Sequence, residues 1–475
     1  VKPETEVNED DMFNTEQGFM DALYGIYVNM GKSDLYGGTL QTALDMTAQY
    51  YSYYDISECP YGHYQTFEYE HPSCTAISDA LWMRIYYCIG LTNNLLKYLD
   101  KPEAVQICCN YDYLRGEALA LRAYLHFELI RIFAPDVKKN PEYKSIPYRK
   151  TFSPDIEPQL KVKEVYQEIL ADLTEAKQLL SNDVIRTNGP DWLGESEKKE
   201  ESDDVTDKNE GYYTSDFLKT RKYRMNYYAV LGTLARVHLT LGTTDDMEKA
   251  YDYAMEVIES GKFRPIQEEH ILVSGEQAKY RDILFTDEFI FGLYSAQVDA
   301  FYKSNFDESY GVKKILINKL SDIYGQGTRD LRQTHWFKTS WGTSYLLKHN
   351  ADLEYAKEKV RMITLAEMYY IAAEAHPAEA YDLLEEILPS REIHSSLPVN
   401  AGRTEVLTEV LKEYRKEYIG DGQFFYAYKR LIEEEAAILP LGINIPNENK
   451  VLVWPLPQDE IKYGDRESGI WKTEK

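Results

Sequence analysis

No stretch of this chain approaches the roughly 20 consecutive apolar residues that a membrane-crossing helix requires. Its hydrophobic residues, 44% of the total, are therefore read as core. Cysteine is scarce, five in 475 residues, and shows no finger-type spacing. Cys108 and Cys109 are adjacent and cannot easily bond each other, and Cys88 lies in a helical pattern that reads as core. Cys59 and Cys74 could close one surface loop or remain thiols. With His63 and His71 they also offer four residues of types that suit zinc. The intervals between those four match no common finger, so no metal is expected. Basic residues are outnumbered, 53 to 79, for a net charge of −26. That balance argues against nucleic acid, whose phosphates need clustered Lys and Arg, and against adsorption to anionic lipid.

Catalytic patterns are missing too. There is no Gly-x-Ser-x-Gly elbow and no His-Glu-x-x-His pair. Gly31-Lys32-Ser33 has the ending of a phosphate loop, but Ile26 stands where the upstream glycine belongs, and the segment follows a helix rather than a strand. A glycosidase would need two carboxyls in one cleft, which the sequence does not mark. We expect no catalytic residues, no cofactor and no enzyme. The chain opens VKPETEVNEDD, without a charged n-region or an apolar h-region. Val1 in place of Met leads us to expect that an export segment has been removed.

Tyrosine is abundant, 41 against 16 phenylalanines. Its flat apolar face and polar tip suit half-wet surfaces, and sugars are natural partners of such surfaces. The pattern along the chain is mostly helical. Residues 15–32 read as a helix with Thr15 as N-cap and Phe19, Leu23, Ile26 and Tyr27 on one side. Helices follow at 77–100, 113–133, 162–180, 224–241, 246–260, 360–375, 378–388 and 403–419. The stretch YLRGEALALRAYLHFELIRIFAP, Tyr113–Pro135, is apolar on nearly every side and is expected to be a central buried helix. Arg122 and Arg131 within it must each find a carboxylate or a carbonyl. Lys249-Ala250-Tyr251-Asp252 echoes Glu379-Ala380-Tyr381-Asp382, which suggests about four helical hairpins similar to tetratricopeptide units. Between them lie loop-rich regions at 37–75, 181–215 and 261–350. The second contains the charged tract ESEKKEESDD, and the third carries a strand-like EFIFGLYSAQ and an ambiguous GVKKILINKL. Insertions of such length in a helical scaffold usually carry function.

Four segments resemble one family. GEALALRAYLHFELIRIFAP, the helix with Trp82, Tyr86, Ile89 and Asn93, the helix VRMITLAEMYYIAAEA, and a C-terminal part (403–475) with Gly422-Gln423-Phe424-Phe425, Tyr428-Lys429-Arg430 and Trp454-Pro455-Leu456-Pro457 are similar to SusD/RagB-type outer-membrane lipoproteins, in the family's order. Tyr426 or Ala427 stands where that pattern has an aspartate. The resemblance implies one fold over 1–475, mostly α, with helical hairpins supporting an irregular second half that contains short strands. It implies a surface-exposed lipoprotein of the outer membrane of Bacteroidota, held by an N-terminal lipid anchor. Such a protein binds an oligosaccharide and delivers it to a SusC-like TonB-dependent transporter. RagB-like relatives make peptide or protein cargo the alternative.

Helix aromatics are usually core, so ligand contact is expected from loop aromatics. These are Tyr51, Tyr53, Tyr54, Tyr61, Tyr64 and Phe67 in the first loop, and Tyr302, Phe306, Trp336 and Trp341 in the middle insertion. Trp336 and Trp341 are the leading pair. The competing reading has them pinning the insertion to the scaffold. Asp55, Asn305 and Arg332 are the polar candidates.

Overall fold

The computed structural model describes residues 9–194, 214–306, 315–317, 320–432 and 450–471. Helix α1 (Glu16–Met30) begins at Thr15, whose hydroxyl accepts from the backbone N–H of Gly18. Phe19, Leu23, Ile26 and Tyr27 are its buried face, as the spacing predicts. The region 37–75, expected to be irregular, contains α2 (Thr39–Thr47), strand β1 (Tyr51–Tyr53) and a one-turn helix at Gly62–Gln65. Leu40, Ala43 and Leu44 repeat at helical spacing and are buried. The surrounding tyrosines and glycines hide that short pattern.

Helix α3 (Pro72–Leu99) packs on α4 (Tyr111–Phe133), and α4 packs in turn on α5 (Val162–Leu179). Every residue of α4 from Gly116 to Phe133 is buried. The helix therefore has no solvent face, which accounts for its lack of amphipathic patterning. Its charged residues are paired, since an unpaired buried charge costs several kcal/mol. Arg122 donates to both oxygens of Asp172 at 2.7 and 2.8 Å and to Asn93 Oδ1 at 3.1 Å. Glu117 accepts from Tyr27 at 2.6 Å and from Arg221. Arg131 pairs with Glu128 at 3.0 Å, and the Tyr426 ring lies 3.8 Å from its guanidinium. Tyr426 thus holds Arg131 and Glu128 together where the resembled pattern has an aspartate, while Arg430 pairs with Glu374.

Helices α6 (Tyr227–Leu241) and α7 (Thr244–Glu259) form a hairpin closed by Gly242, at φ 69°, and the Thr243–Asp246 capping box. Strand β2 (Phe289–Tyr294) follows, then α8 (Val298–Phe306), β3 (Ile315–Ile317), and the hairpin β4 (Phe337–Ser340) and β5 (Thr343–Leu346). The segment expected to be helical from residue 360 first forms strand β6 (Lys359–Thr364), antiparallel to β2. Only Leu365–Ala375 is helix, α9. Val360, Ile363 and Thr364 are β-branched, and pairing with β2 decides their conformation. Helix α10 (Ala380–Ile387) completes the second hairpin. The two echoed hairpins touch: the Tyr251 ring stacks 3.6 Å from that of His376 and its hydroxyl donates to Glu379 at 2.6 Å.

The chain ends with α11 (Arg403–Glu417) and α12 (Phe424–Leu431), then an extended return in which the N–H of buried Trp454 donates to Ile132 of α4. The irregular half is fastened to the helices by a buried ionic cluster. Arg332, Arg361 and Arg391 all reach Glu417, and Asp330, Glu413 and Glu288 share the load. The three cations hold the Glu417 carboxyl well below its usual range despite burial. The tract ESEKKEESDD and most of GVKKILINKL lie outside the described residues; within the latter Ile315–Ile317 is strand.

Candidate functional site

Pairing of β1 with β3 joins the first aromatic loop to the middle insertion. Tyr51 lies opposite Ile317, and Tyr53 opposite Ile315. Strand β5 packs against β3, so the β4–β5 hairpin stands beside the same small sheet. The two regions singled out in the sequence therefore converge. Their aromatics divide into a buried layer and an exposed layer.

The buried layer holds Tyr51, Tyr61, Tyr64, Tyr302 and Phe306. Phe306 stacks on Tyr302 at 5.1 Å and meets Tyr51 edge-on at 5.2 Å. Tyr64 lies 4.6 Å from Trp454 and donates to Cys74 O at 3.0 Å. Tyr61 shares a hydrogen bond with Thr39, and burial pushes its phenol up to about 12. These five are corrections to the ligand-contacting set, because their rings are spent on one another and their hydroxyls on the fold. Trp336 is the largest correction. It is fully buried, its indole N–H donates to Ile283 O at 2.5 Å, and Lys348 Nζ lies 4.1 Å from its ring. Arg332, one turn earlier, is equally buried in the Glu417 cluster. Arg332 pins the insertion to α11 through Glu413 and Glu417, and Trp336 is held within the insertion by Ile283, Phe285 and Lys348.

The exposed layer is Tyr53, Tyr54, Phe67 and Trp341. Tyr54 is 60% exposed and Trp341 fully exposed. Tyr53 is half-buried over Gly62, where a Cβ would come 3.1 Å from its ring. Phe67 is half-buried at φ 60°. Trp341 and Gly342 form the two-residue turn of the hairpin at φ 51° and 78°. Such turns favour Asn-Gly or Gly-Gly, so a bulky aromatic in the first position is held at a cost. Strain of that kind concentrates at functional positions. Asp55 is exposed and accepts from Ser57, and Asn305 is half-buried with its amide donated to Phe301 O.

One residue at this surface was missed in the sequence, and another, His63, was singled out there only as a metal-ligand type. Phe301 is half-buried on α8, edge-on to Tyr61, and lies so close to Gly38 that a Cβ there would sit 2.1 Å from its ring. Only the position of α8 decides that Phe301 rather than Tyr302 faces outward. His63 stacks on His71 at 3.5 Å and contacts Glu68 at 2.6 Å. Cys59 and Cys74 are free thiols, both pushed up by burial. Among the described residues no group of three His, Cys, Asp or Glu is arranged to hold a metal.

Beneath the platform, Tyr51 donates to Asp45 at 2.9 Å, Gly420 N–H donates to the same oxygen at 2.6 Å, and Tyr302 donates to Gly420 O at 3.2 Å. Lys348 binds Ile419 O at 2.9 Å and Asp421 at 2.8 Å. The Gly420 turn thus fixes the platform from below. Burial pushes the Asp45 carboxyl up to about 8 and the His349 imidazole, stacked on Tyr302, down to about 3.

Residues 3–189 match a SusD-like family described as starch-binding and associating with the outer membrane. No curated protein sequence matches. Three solved structures share the fold. A SusD superfamily protein of Bacteroides vulgatus is 21% identical, with 97% of this chain and 100% of that one covered at a TM-score of 0.71. One of Bacteroides thetaiotaomicron is 20% identical, with 95% and 98% covered at 0.70. A SusD-like carbohydrate-binding protein of Bacteroides vulgatus is 19% identical, with 88% and 83% covered at 0.65. The sequence match is confined to the N-terminal part, residues 3–189, and the fold shared with these SusD-superfamily structures extends over nearly the whole chain.

Proposed function

We propose that the chain captures an oligosaccharide on the surface formed by Tyr53, Tyr54, Phe301 and Trp341 and passes it to a SusC-like TonB-dependent transporter. The observation that carries this reading is the β1–β3 pairing, with β5 packed alongside, which brings together two distant parts of the chain that each present exposed aromatics. Flat rings stack on the C–H faces of sugars, each adding about 0.5–1.5 kcal/mol. Asp55 beside Tyr54 in the chain, Asn305 one turn after Phe301 on α8, and His63 in the first loop are the polar candidates for bonding hydroxyls. The buried layer keeps the rings in place, so little order is lost on binding. No bond is broken in this scheme. The family's association with the outer membrane supports placement at the cell surface, held by an N-terminal lipid anchor. Among the described residues, no helix is long and apolar enough to cross a membrane.

Affinity electrophoresis against a panel of host and plant polysaccharides tests the reading. At least one polysaccharide is expected to retard the protein, and Tyr54→Ala and Trp341→Ala to relieve the retardation. Binding to peptides with no retardation by any polysaccharide would replace glycan with peptide as the cargo.

A further inference from the structure

Away from the aromatic platform, a cleft of about 440 Å³ opens between the first turns of α3 and the C-terminal segment. Its size is that of a small-ligand site. Glu70, Asp79, Gln458, Leu456, Ile461 and Trp471 are among its walls. The wall contains no Lys, Arg or His, unlike three other clefts, which contain Arg131, Lys412 and Lys262 respectively.

Asp79 is half-buried and has no hydrogen-bond or ion-pair partner among the described residues. Burial, and then the charge of Asp459 nearby, push its carboxyl above the usual range. A half-buried carboxylate with a second negative charge nearby is relieved by a cation. Trp471 donates its indole N–H to Val453 O at 3.2 Å. That donor is spent, so the ring offers only its carbon surface, which attracts cations and apolar bodies. The chain itself sets a cation over this ring: the Lys450 ammonium, outside the cleft's walls, stands 5.3 Å from the Trp471 ring centre. Leu456 and Ile461 add an apolar wall.

We propose that this cleft is a second binding site, selective for a small organic cation whose ammonium group is carried on a ring-shaped or apolar body, such as the free amine of an amino sugar. The ammonium lies against Asp79, and the body lies on Trp471, Leu456 and Ile461. The site shares no residue with the aromatic platform and does not depend on what the platform binds.

Calorimetric titration of the whole chain with glucosamine, N-acetylglucosamine and glucose, at slightly acid pH and low salt, tests this. Glucosamine is expected to bind, and the two neutral sugars to bind at least tenfold more weakly at this cleft. Raised salt weakens the glucosamine interaction. Asp79→Asn, which keeps the shape of the side chain, and Trp471→Ala each weaken it at least tenfold. Tyr54→Ala leaves it unchanged. Circular dichroism confirms that each variant is folded, and the selectivity and salt dependence of the unaltered chain stand without any variant. Equal binding of glucose and glucosamine, glucosamine binding unaffected by Asp79→Asn, or no binding of glucosamine to the unaltered chain would overturn the proposal.

Discussion

Trp336 and Trp341 stand five residues apart and have opposite surroundings, one with no exposed surface and the other with all of it exposed. Trp336→Ala removes a buried indole and its hydrogen bond, so a loss of about 3–5 kcal/mol is expected. Trp341→Ala removes no contact and relieves a bulky residue at φ 51°, so stability should change by less than about 0.5 kcal/mol. Urea unfolding of the two variants checks the pair, and equal losses would contradict the assignment. Asp45 makes a different prediction. Its folded-state carboxyl is raised to about 8, above its ordinary value near 3.9. The folded chain therefore keeps a proton that the unfolded chain has lost. Between about pH 4 and pH 8 this contribution falls as pH rises, by at most about 1.4 kcal/mol per pH unit. The groups facing Asp45 are Tyr50, Tyr51, Tyr302, Lys348 and Asp421. Asp45→Asn keeps the acceptor oxygen and removes the titration. The variant should gain stability relative to the unaltered chain as pH rises through that window, and parallel pH profiles would count against the buried-carboxylate account.

At the scale of elements, the Glu417 cluster and the seat of α8 carry the argument. Glu417→Gln leaves Arg332, Arg361 and Arg391 facing a neutral amide, and breaking a buried pair of this kind costs about 3–5 kcal/mol. The expected signature is a lowered urea midpoint, with proteolysis falling first on the β4–β5 region. Gly38→Ala forces a Cβ into the Phe301 ring at a glycine with φ 146°. It should displace α8 and weaken glycan binding while α1, α3 and α4 stay packed. How far these elements could be read in the sequence depended on their length. The long helices announced themselves by periodicity, and α4 by apolar residues on every face. Helix α2, at nine residues, and β1, at three, were too short to show a period among so many tyrosines. Strand β6 merged with α9 in the sequence because its partner β2 lies some 70 residues earlier, and no local pattern reports that pairing. Of the candidate site, the sequence marked the two regions that the β1–β3 pairing joins but not which of their rings are exposed; most are core, and Phe301 was hidden beside Tyr302.

For the molecule as a whole, an acidic helical scaffold of −26 net charge carries exposed aromatics from its first loop and its middle insertion. The fold is that of SusD-superfamily proteins, and the capture-and-delivery role follows as a proposal from the arrangement of the exposed rings. Delivery to a transporter predicts that the chain, extracted gently from outer membranes, runs at a mass greater than its own by that of a barrel-forming partner. A mass equal to that of the chain alone would speak against a stable complex. The central claim is that the cargo is a glycan held by Tyr53, Tyr54, Phe301 and Trp341. It is tested most directly by titrating an oligosaccharide from a retarding polysaccharide into the unaltered chain and into Tyr54→Ala and Trp341→Ala. The account predicts binding weakened about 2- to 10-fold by each change, with unfolding midpoints unchanged. Undiminished binding by both variants would place the ligand elsewhere and contradict it.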